Sequence, residues 1–184
     1  MNTPAQQPGA DQRRKLAPMP FPPESWTLVS KDADYALAHW QQVFAVFWRR
    51  ETTVEGARDL ARSCAAFAAT QPRGIGLLTI VESGAPLPAS SARNEIADFL
   101  ASGSKFIKCS AVVFEGSGFR AAAVRSVVTG LTLMAKQAYP HKVCSLEDAI
   151  AMFARILPEA TGRALSADDF RASVEDVRKR FDGV

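Results

Sequence analysis

The residues that could carry chemistry are few in this chain of 184 residues. It has two histidines, His39 and His141, and three widely separated cysteines that each lie in an apolar segment. Without a Cys-x-x-Cys pair, two histidines and three separated cysteines do not form a zinc-binding motif. His141 and Cys144 suggest a thiolate pair, but Cys144 ends a segment that is predicted to be a buried strand. We therefore expect no enzyme, no metal and no cofactor.

The turn at residues 115–120 offers a second kind of chemistry. Backbone N–H groups at a helix start favour anions, and Ser117, Gly118 and Arg120 could form an anion-binding turn there. The turn is too short for a dinucleotide fingerprint, and it lacks the lysine of a phosphate-binding loop. Glu115 would also repel an anion, so a flexible turn capped by Ser117 is the alternative.

The strands that must position these residues can be predicted from hydrophobic periodicity. Alternating or apolar runs, separated by turn residues, predict six strands at 26–29, 35–39, 43–48, 75–81, 106–114 and 140–144. The first three are close enough together to form antiparallel hairpins. Helical spacing follows each later strand, which predicts crossovers and parallel pairing. The predicted fold is α/β, with N-terminal hairpin strands and then βαβαβα around a mixed central sheet.

Capping residues predict where two of the helices begin and end. Ser90 or Ser91 can cap a helix that runs to about residue 100. Ser145 can cap a later helix, in which the acidic Asp148 follows three residues on. We expect Pro158 and Gly162 to stop that helix, because proline removes a backbone donor and clashes with the preceding turn, and glycine is common just past a helix end.

A long and very apolar helix is predicted at 119–138. It carries small residues at Ala122, Ser126 and Gly130, each four positions apart. Gly130 costs about 1 kcal/mol of helix stability relative to alanine, so we expect close packing along this stripe to offset it. The stripe could instead line a pocket.

An extra C-terminal helix is predicted from about residue 166. Its narrow apolar stripe is formed by Phe170, Val174, Val177 and Phe181. The stripe either docks back on the domain or binds a partner, and we predict it as a partner-binding surface.

Composition sets the class of protein. Hydrophobic residues make up 47% and charged residues 22% of the chain, as in ordinary globular proteins. The net charge is +3, and the basic residues are scattered rather than clustered with aromatics, so we expect no nucleic-acid partner. With no secretory signal and no apolar stretch long enough for a bilayer, we expect a cytoplasmic protein. We predict that residues 1–23 form a disordered Pro-rich tail, that residues 24–160 form the main domain, and that residues 161–184 form the extra helix.

Three features of the sequence stand out together: the leading hairpin strands, the helix start Thr53-Val54-Glu55-Gly56-Ala57, and the segment 139–150, Tyr-Pro-His-Lys-Val-Cys-Ser-Leu-Glu-Asp-Ala-Ile. With the order of the elements, these features resemble the STAS/SpoIIAA-like superfamily. The segment 139–150 is similar to the last strand-to-helix turn of the superfamily. The resemblance covers residues 26–157. The superfamily includes anti-sigma-factor antagonists, and related chains are STAS/SEC14-like.

The resemblance implies a function and a candidate modification site. It implies a non-catalytic module that binds a protein partner, or further copies of itself, in a bacterial-type cytoplasmic signalling or regulatory complex. SEC14-like relatives imply the alternative of a small-molecule or lipid carrier. Phosphorylatable members carry an Asp-Ser-Ser-Gly-like turn, whereas the equivalent connection here has Ser90 and Ser91 without the aspartate. These serines are candidate phospho-acceptors, with N-capping as their other role.

Overall fold

The computed structural model describes residues 26–136 and 138–182, with only the backbone described at 180–182. The predicted tail at 1–23 lies outside the described residues. The strands are β1 (Thr27–Lys31), β2 (Tyr35–Trp40), β3 (Val43–Trp48), β4 (Ile75–Val81), β5 (Ile107–Phe114) and β6 (His141–Cys144). The helices are α1 (Val54–Ala69), α2 (Ser90–Gly103), α3 (Gly118–Ala135), α4 (Leu146–Thr161) and α5 (Ala167–Asp182).

The strands form one mixed sheet in the order β1-β2-β3-β4-β5-β6. The first three strands pair antiparallel, and β3 to β6 pair parallel. The predicted fold class is confirmed, including the leading hairpins and the extra C-terminal helix. Parallel neighbours need a crossover, and α1, α2 and α3 provide the three crossovers between β3 and β6.

Both faces of the sheet are covered, and alternation along each strand divides the core in two. On β2, Leu37 faces a core shared with α1 and α2, whereas Trp40 faces a core shared with α4 and α5. Successive side chains of a strand point to opposite faces, so strands covered on both sides become apolar throughout. This explains the near-continuous apolar runs of β3, β4 and β5.

Local capping chemistry fixes both the start and the end of α4. The Ser145 side chain accepts a hydrogen bond from the Asp148 backbone N–H, which confirms the predicted cap. The helix passes Pro158, continues to Thr161 and ends at Gly162, the second of the two predicted stop residues. Gly162 adopts the left-handed conformation with φ of 70° and donates its N–H to the Pro158 carbonyl. Proline in the last turn removes few backbone bonds, so it is tolerated there.

The apolar stripe of α5 docks back on the domain, which corrects its assignment as a partner-binding surface. Phe170 and Val174 are fully buried and Val177 is 2% exposed, whereas the side chain of Phe181 is outside the described residues. Phe170 stacks on Trp40 with ring centroids 5.4 Å apart. Three apolar side chains on one helix face cover aromatic surface that the sheet would otherwise expose to water, so docking is the outcome favoured by burial.

Candidate functional site

Helix α3 has two apolar faces, and only one of them is covered by the protein. The inner face carries Val124, Val128, Leu131 and Ala135 at spacings of four, three and four, and all four are buried. The opposite side carries Phe119, Ala122, Ser126, Gly130 and Leu133, again at spacings of three and four; we call these five residues the outward face. Helices that are apolar all round are normally buried on all sides, so an uncovered outward face is unusual for a helix of this composition.

The outward face is strongly exposed. The exposed fraction is 89% for Phe119 and 75% for Leu133, and it is 58% for the neighbouring Met134. The close packing that we expected at Gly130 is not found, because a Cβ added there would meet nothing within 4 Å. The small residues therefore form a shallow, open strip between larger apolar side chains. Contiguous apolar surface of this kind marks interaction sites in soluble proteins.

A groove runs beside the outward face, between α3 and the start of α2. It has a volume of about 400 Å³ and is lined by Ser90, Arg93, Asn94, Ser126, Val127, Gly130, Leu131 and Met134. Helix α3 contains two charged residues, Arg120 and Arg125, and no acidic one. The charged residues of α3 and of the groove lining are therefore all basic.

The candidate phospho-acceptors lie at the first turn of α2, and both are exposed. The cap of this helix is Ala89, which makes no side-chain cap bond, so the predicted capping by Ser90 or Ser91 is wrong. Instead, the Ser90 hydroxyl accepts a hydrogen bond of 2.9 Å from Arg93. Of the two serines, only Ser90 lines the groove. Phosphorylation of either serine stays a prediction.

The turn before α3 is held by internal contacts. Gly118 has a φ of 66°, and the Ser117 side chain makes no cap bond, contrary to the capping alternative. Arg120 donates to the carbonyl oxygens of Gly84 and Ala85, so it ties α3 to the loop between β4 and α2. Glu115 forms an ion pair with Arg178. The anion-binding role of this turn remains a prediction.

A cavity of about 90 Å³ lies beneath α3. Apolar side chains from the sheet, from all three crossover helices and from the β4–α2 loop line most of it. Its polar lining comes from Thr52, Thr79, Ser110 and His141. Parallel pairing of β5 and β6 places Ser110 opposite His141, and the Ser110 Oγ lies 2.6 Å from the His141 Nδ1. The His141 Nε2 is buried and has no hydrogen-bond partner within the described residues.

This pair was not predicted from the sequence. Ser110 is one hydroxyl in an apolar strand, and His141 is 31 positions away. Nothing in either local pattern gives the register that brings them together. Because no described carboxylate binds Nε2, the pair lacks the third group that orients a catalytic histidine.

The cysteines are unsuited to nucleophilic chemistry. Burial raises the pKa of the Cys64 thiol and raises that of Cys109 to about 12. Burial also raises the pKa of Cys144. A raised pKa keeps the thiol protonated at neutral pH, and the protonated form is the unreactive one. Residues 26–136 and 138–182 contain no group of three or more His, Cys, Asp or Glu side chains placed to hold a metal.

Acid is expected to weaken the fold through the two histidines. Burial lowers the pKa of both His39 and His141 below the ordinary 6.5. Just below that pH the unfolded chain binds more protons than the folded chain, so the free energy of unfolding falls as the pH falls. We expect urea midpoints to drop between about pH 7 and pH 5. The drop should be smaller in His141→Phe and smaller still in His39→Phe/His141→Phe; an unchanged drop in the double variant would contradict this.

The comparisons with known proteins gave one structural likeness. No protein-family model matches the chain, and no curated protein matches it. The chain is similar to an anti-sigma factor antagonist from Mycobacterium paratuberculosis. The two are 19% identical, the match covers 72% of this chain and 96% of that chain, and the TM-score is 0.40.

In the described part of the chain, none of the helices is both long enough and apolar enough to cross a bilayer.

Proposed function

We propose that the chain is a non-catalytic regulatory module that binds a protein partner through the outward face of α3. The observation that carries the proposal is the exposure of Phe119 and Leu133 on a helix whose opposite side is already packed on the protein. When a partner covers large exposed apolar side chains, their surface is removed from water, and this stabilises the complex. A module of this kind needs no reactive group, which agrees with the protonated cysteines and with the histidine that has no acidic partner.

The charges beside the outward face define the chemistry of the partner. Arg120 and Arg125 are the charged residues of α3, and Arg93 lies in the groove wall. Complementary charge favours a partner that presents apolar side chains rimmed by Asp and Glu. A second copy of this chain fits less well, because pairing α3 with itself would bring two basic helices together.

The setting of this binding follows the sequence resemblance. We place the module in a bacterial-type cytoplasmic signalling or regulatory complex. Ser90 would be the acceptor in a phosphorylation switch, because it lines the groove beside the outward face. A phosphate there would add negative charge next to Arg93 and change the basic surface that the partner meets.

Site-specific photo-crosslinking tests the proposal. A benzoylphenylalanine residue replaces Leu133 in one variant and Leu28, which is 49% exposed on the edge strand β1, in the control. In extract of the source cells, we expect a discrete protein adduct from position 133 and none from position 28. The crosslinked segment of the partner should contain apolar and acidic residues, and the yield should fall as salt rises.

Three outcomes would contradict the proposal. The first is the same adduct pattern from both positions, which would show non-specific contact. The second is an adduct of the chain with itself, which would identify the outward face as a homo-oligomer interface. The third is an adduct whose partner segment is basic or lacks apolar residues.

A further inference from the structure

The cavity beneath α3 lies on the opposite side of that helix from the outward face. Val124, Val128 and Leu131 of the inner face form part of its wall, and β4 and β5 form its floor with Leu77 and Val112. Pro86, Leu87 and Pro88 of the β4–α2 loop also line it, and Leu87 is 46% exposed. The loop therefore reaches both the cavity and the solvent.

The size and the walls of the cavity set limits on what it can hold. An apolar cavity of about 150 Å³ takes up benzene in a protein of known structure, so one of about 90 Å³ suits a molecule with no more than benzene's roughly six non-hydrogen atoms. No charged side chain of a described residue lines it. A charged ligand would lose its hydration without gaining a counter-ion, so the cavity favours a neutral one.

The hydrogen bond between Ser110 and His141 indicates which polar group the ligand should carry. If Ser110 donates its O–H to Nδ1, only the Nε2–H is left without an acceptor. If instead the Nδ1–H donates to the Ser110 Oγ, both the Ser110 O–H and the Nε2 lack partners. Two unpaired buried groups cost more than one. The first arrangement is therefore favoured, and His141 offers one unused donor.

We propose that this cavity is a binding site for a small neutral, largely apolar molecule with one hydrogen-bond acceptor oxygen, which accepts from the His141 Nε2–H. A cyclic ketone or a short ester has this chemistry. The site is separate from the outward face and does not depend on the protein partner. It gives the small-molecule alternative of the sequence resemblance a defined location and a ligand class.

A nuclear magnetic resonance titration of the full chain tests this site with two probes. Cyclopentanone carries a ring and an acceptor oxygen, and cyclopentane carries the ring alone. We expect cyclopentanone to shift the backbone amide signals of Ser110 and Val128 and the ring nitrogen signals of His141. Cyclopentane should shift the same amides with lower affinity.

Three variants separate the cavity from the rest of the surface. Val128→Phe fills the cavity and should abolish the shifts, whereas Leu133→Phe adds the same ring on the exposed side of α3 and should leave them unchanged. His141→Phe keeps a ring but removes the donor, so it should weaken cyclopentanone binding by about tenfold and leave cyclopentane unaffected.

The proposal is overturned if neither probe shifts the cavity residues of the wild type. It is also overturned if His141→Phe weakens both probes equally or neither of them. If Val128→Phe does not fold, the His141→Phe comparison alone decides. Because no partner protein is present in this titration, its failure would leave the crosslinking test of the outward face untouched.

Discussion

Replacing Phe170 with alanine is expected to lower the free energy of unfolding by about 3–5 kcal/mol. The side chain is fully buried and lies between the rings of Trp40, Trp26 and Phe153, with centroid distances of 5.4, 6.3 and 5.8 Å. Its removal takes away buried apolar area and leaves a cavity that rigid aromatic neighbours cannot close. A typical domain has only about 5–15 kcal/mol of stability, so the variant should lose a large share of it.

Urea denaturation followed by tryptophan fluorescence measures this effect, because Trp26 and Trp40 flank the substituted site. The matched control is Phe119→Ala, the same chemical change at a side chain that is 89% exposed. Its effect should stay within about 0.5 kcal/mol. Equal effects of the two substitutions, or a Phe170→Ala variant as stable as the wild type, would place α5 outside the core.

The fold could be predicted because its signals are local and mutually consistent. Apolar runs mark β4 and β5 as strands covered on both faces, and helical spacing between them leaves crossovers as the remaining connection. The short turns between β1, β2 and β3 similarly require antiparallel pairing. None of these steps depends on knowing which residues meet in space.

The site could not be predicted to the same degree, because periodicity shows that a helix face is apolar but not what covers it. The stripe of α5 at Phe170 and the outward face of α3 have the same kind of pattern in the sequence. The structure buries the first and exposes the second, which reverses the partner-binding assignment. The open strip at Gly130 differs from expectation for the same reason.

The Ser110–His141 pair shows a second limit. It depends on the register of β5 against β6, which joins residues 31 positions apart. Register is set by the whole packed sheet and by the crossover between the two strands, so a pattern within either strand does not contain it. A single hydroxyl in an apolar strand is the one sequence feature that could have drawn attention to the site.

The second large effect is expected at Leu133, where an aspartate should weaken binding of the crosslinked partner by about 30-fold or more. Leu133 is 75% exposed, so the substitution removes apolar surface available to a partner without disturbing the core. It also introduces a negative charge into a basic surface that we expect to meet an acidic rim. Both changes oppose binding, whereas the stability of the free chain should change little.

Isothermal titration calorimetry with the purified partner tests the central claim most directly. Wild type is compared with Leu133→Asp and with Leu28→Asp, which places the same charge on an exposed leucine of β1. We expect the first variant to lose about 30-fold or more in affinity and the second to bind like the wild type. Wild-type affinity in Leu133→Asp, or an equal loss in both variants, would contradict the assignment of the outward face of α3 as the partner-binding surface.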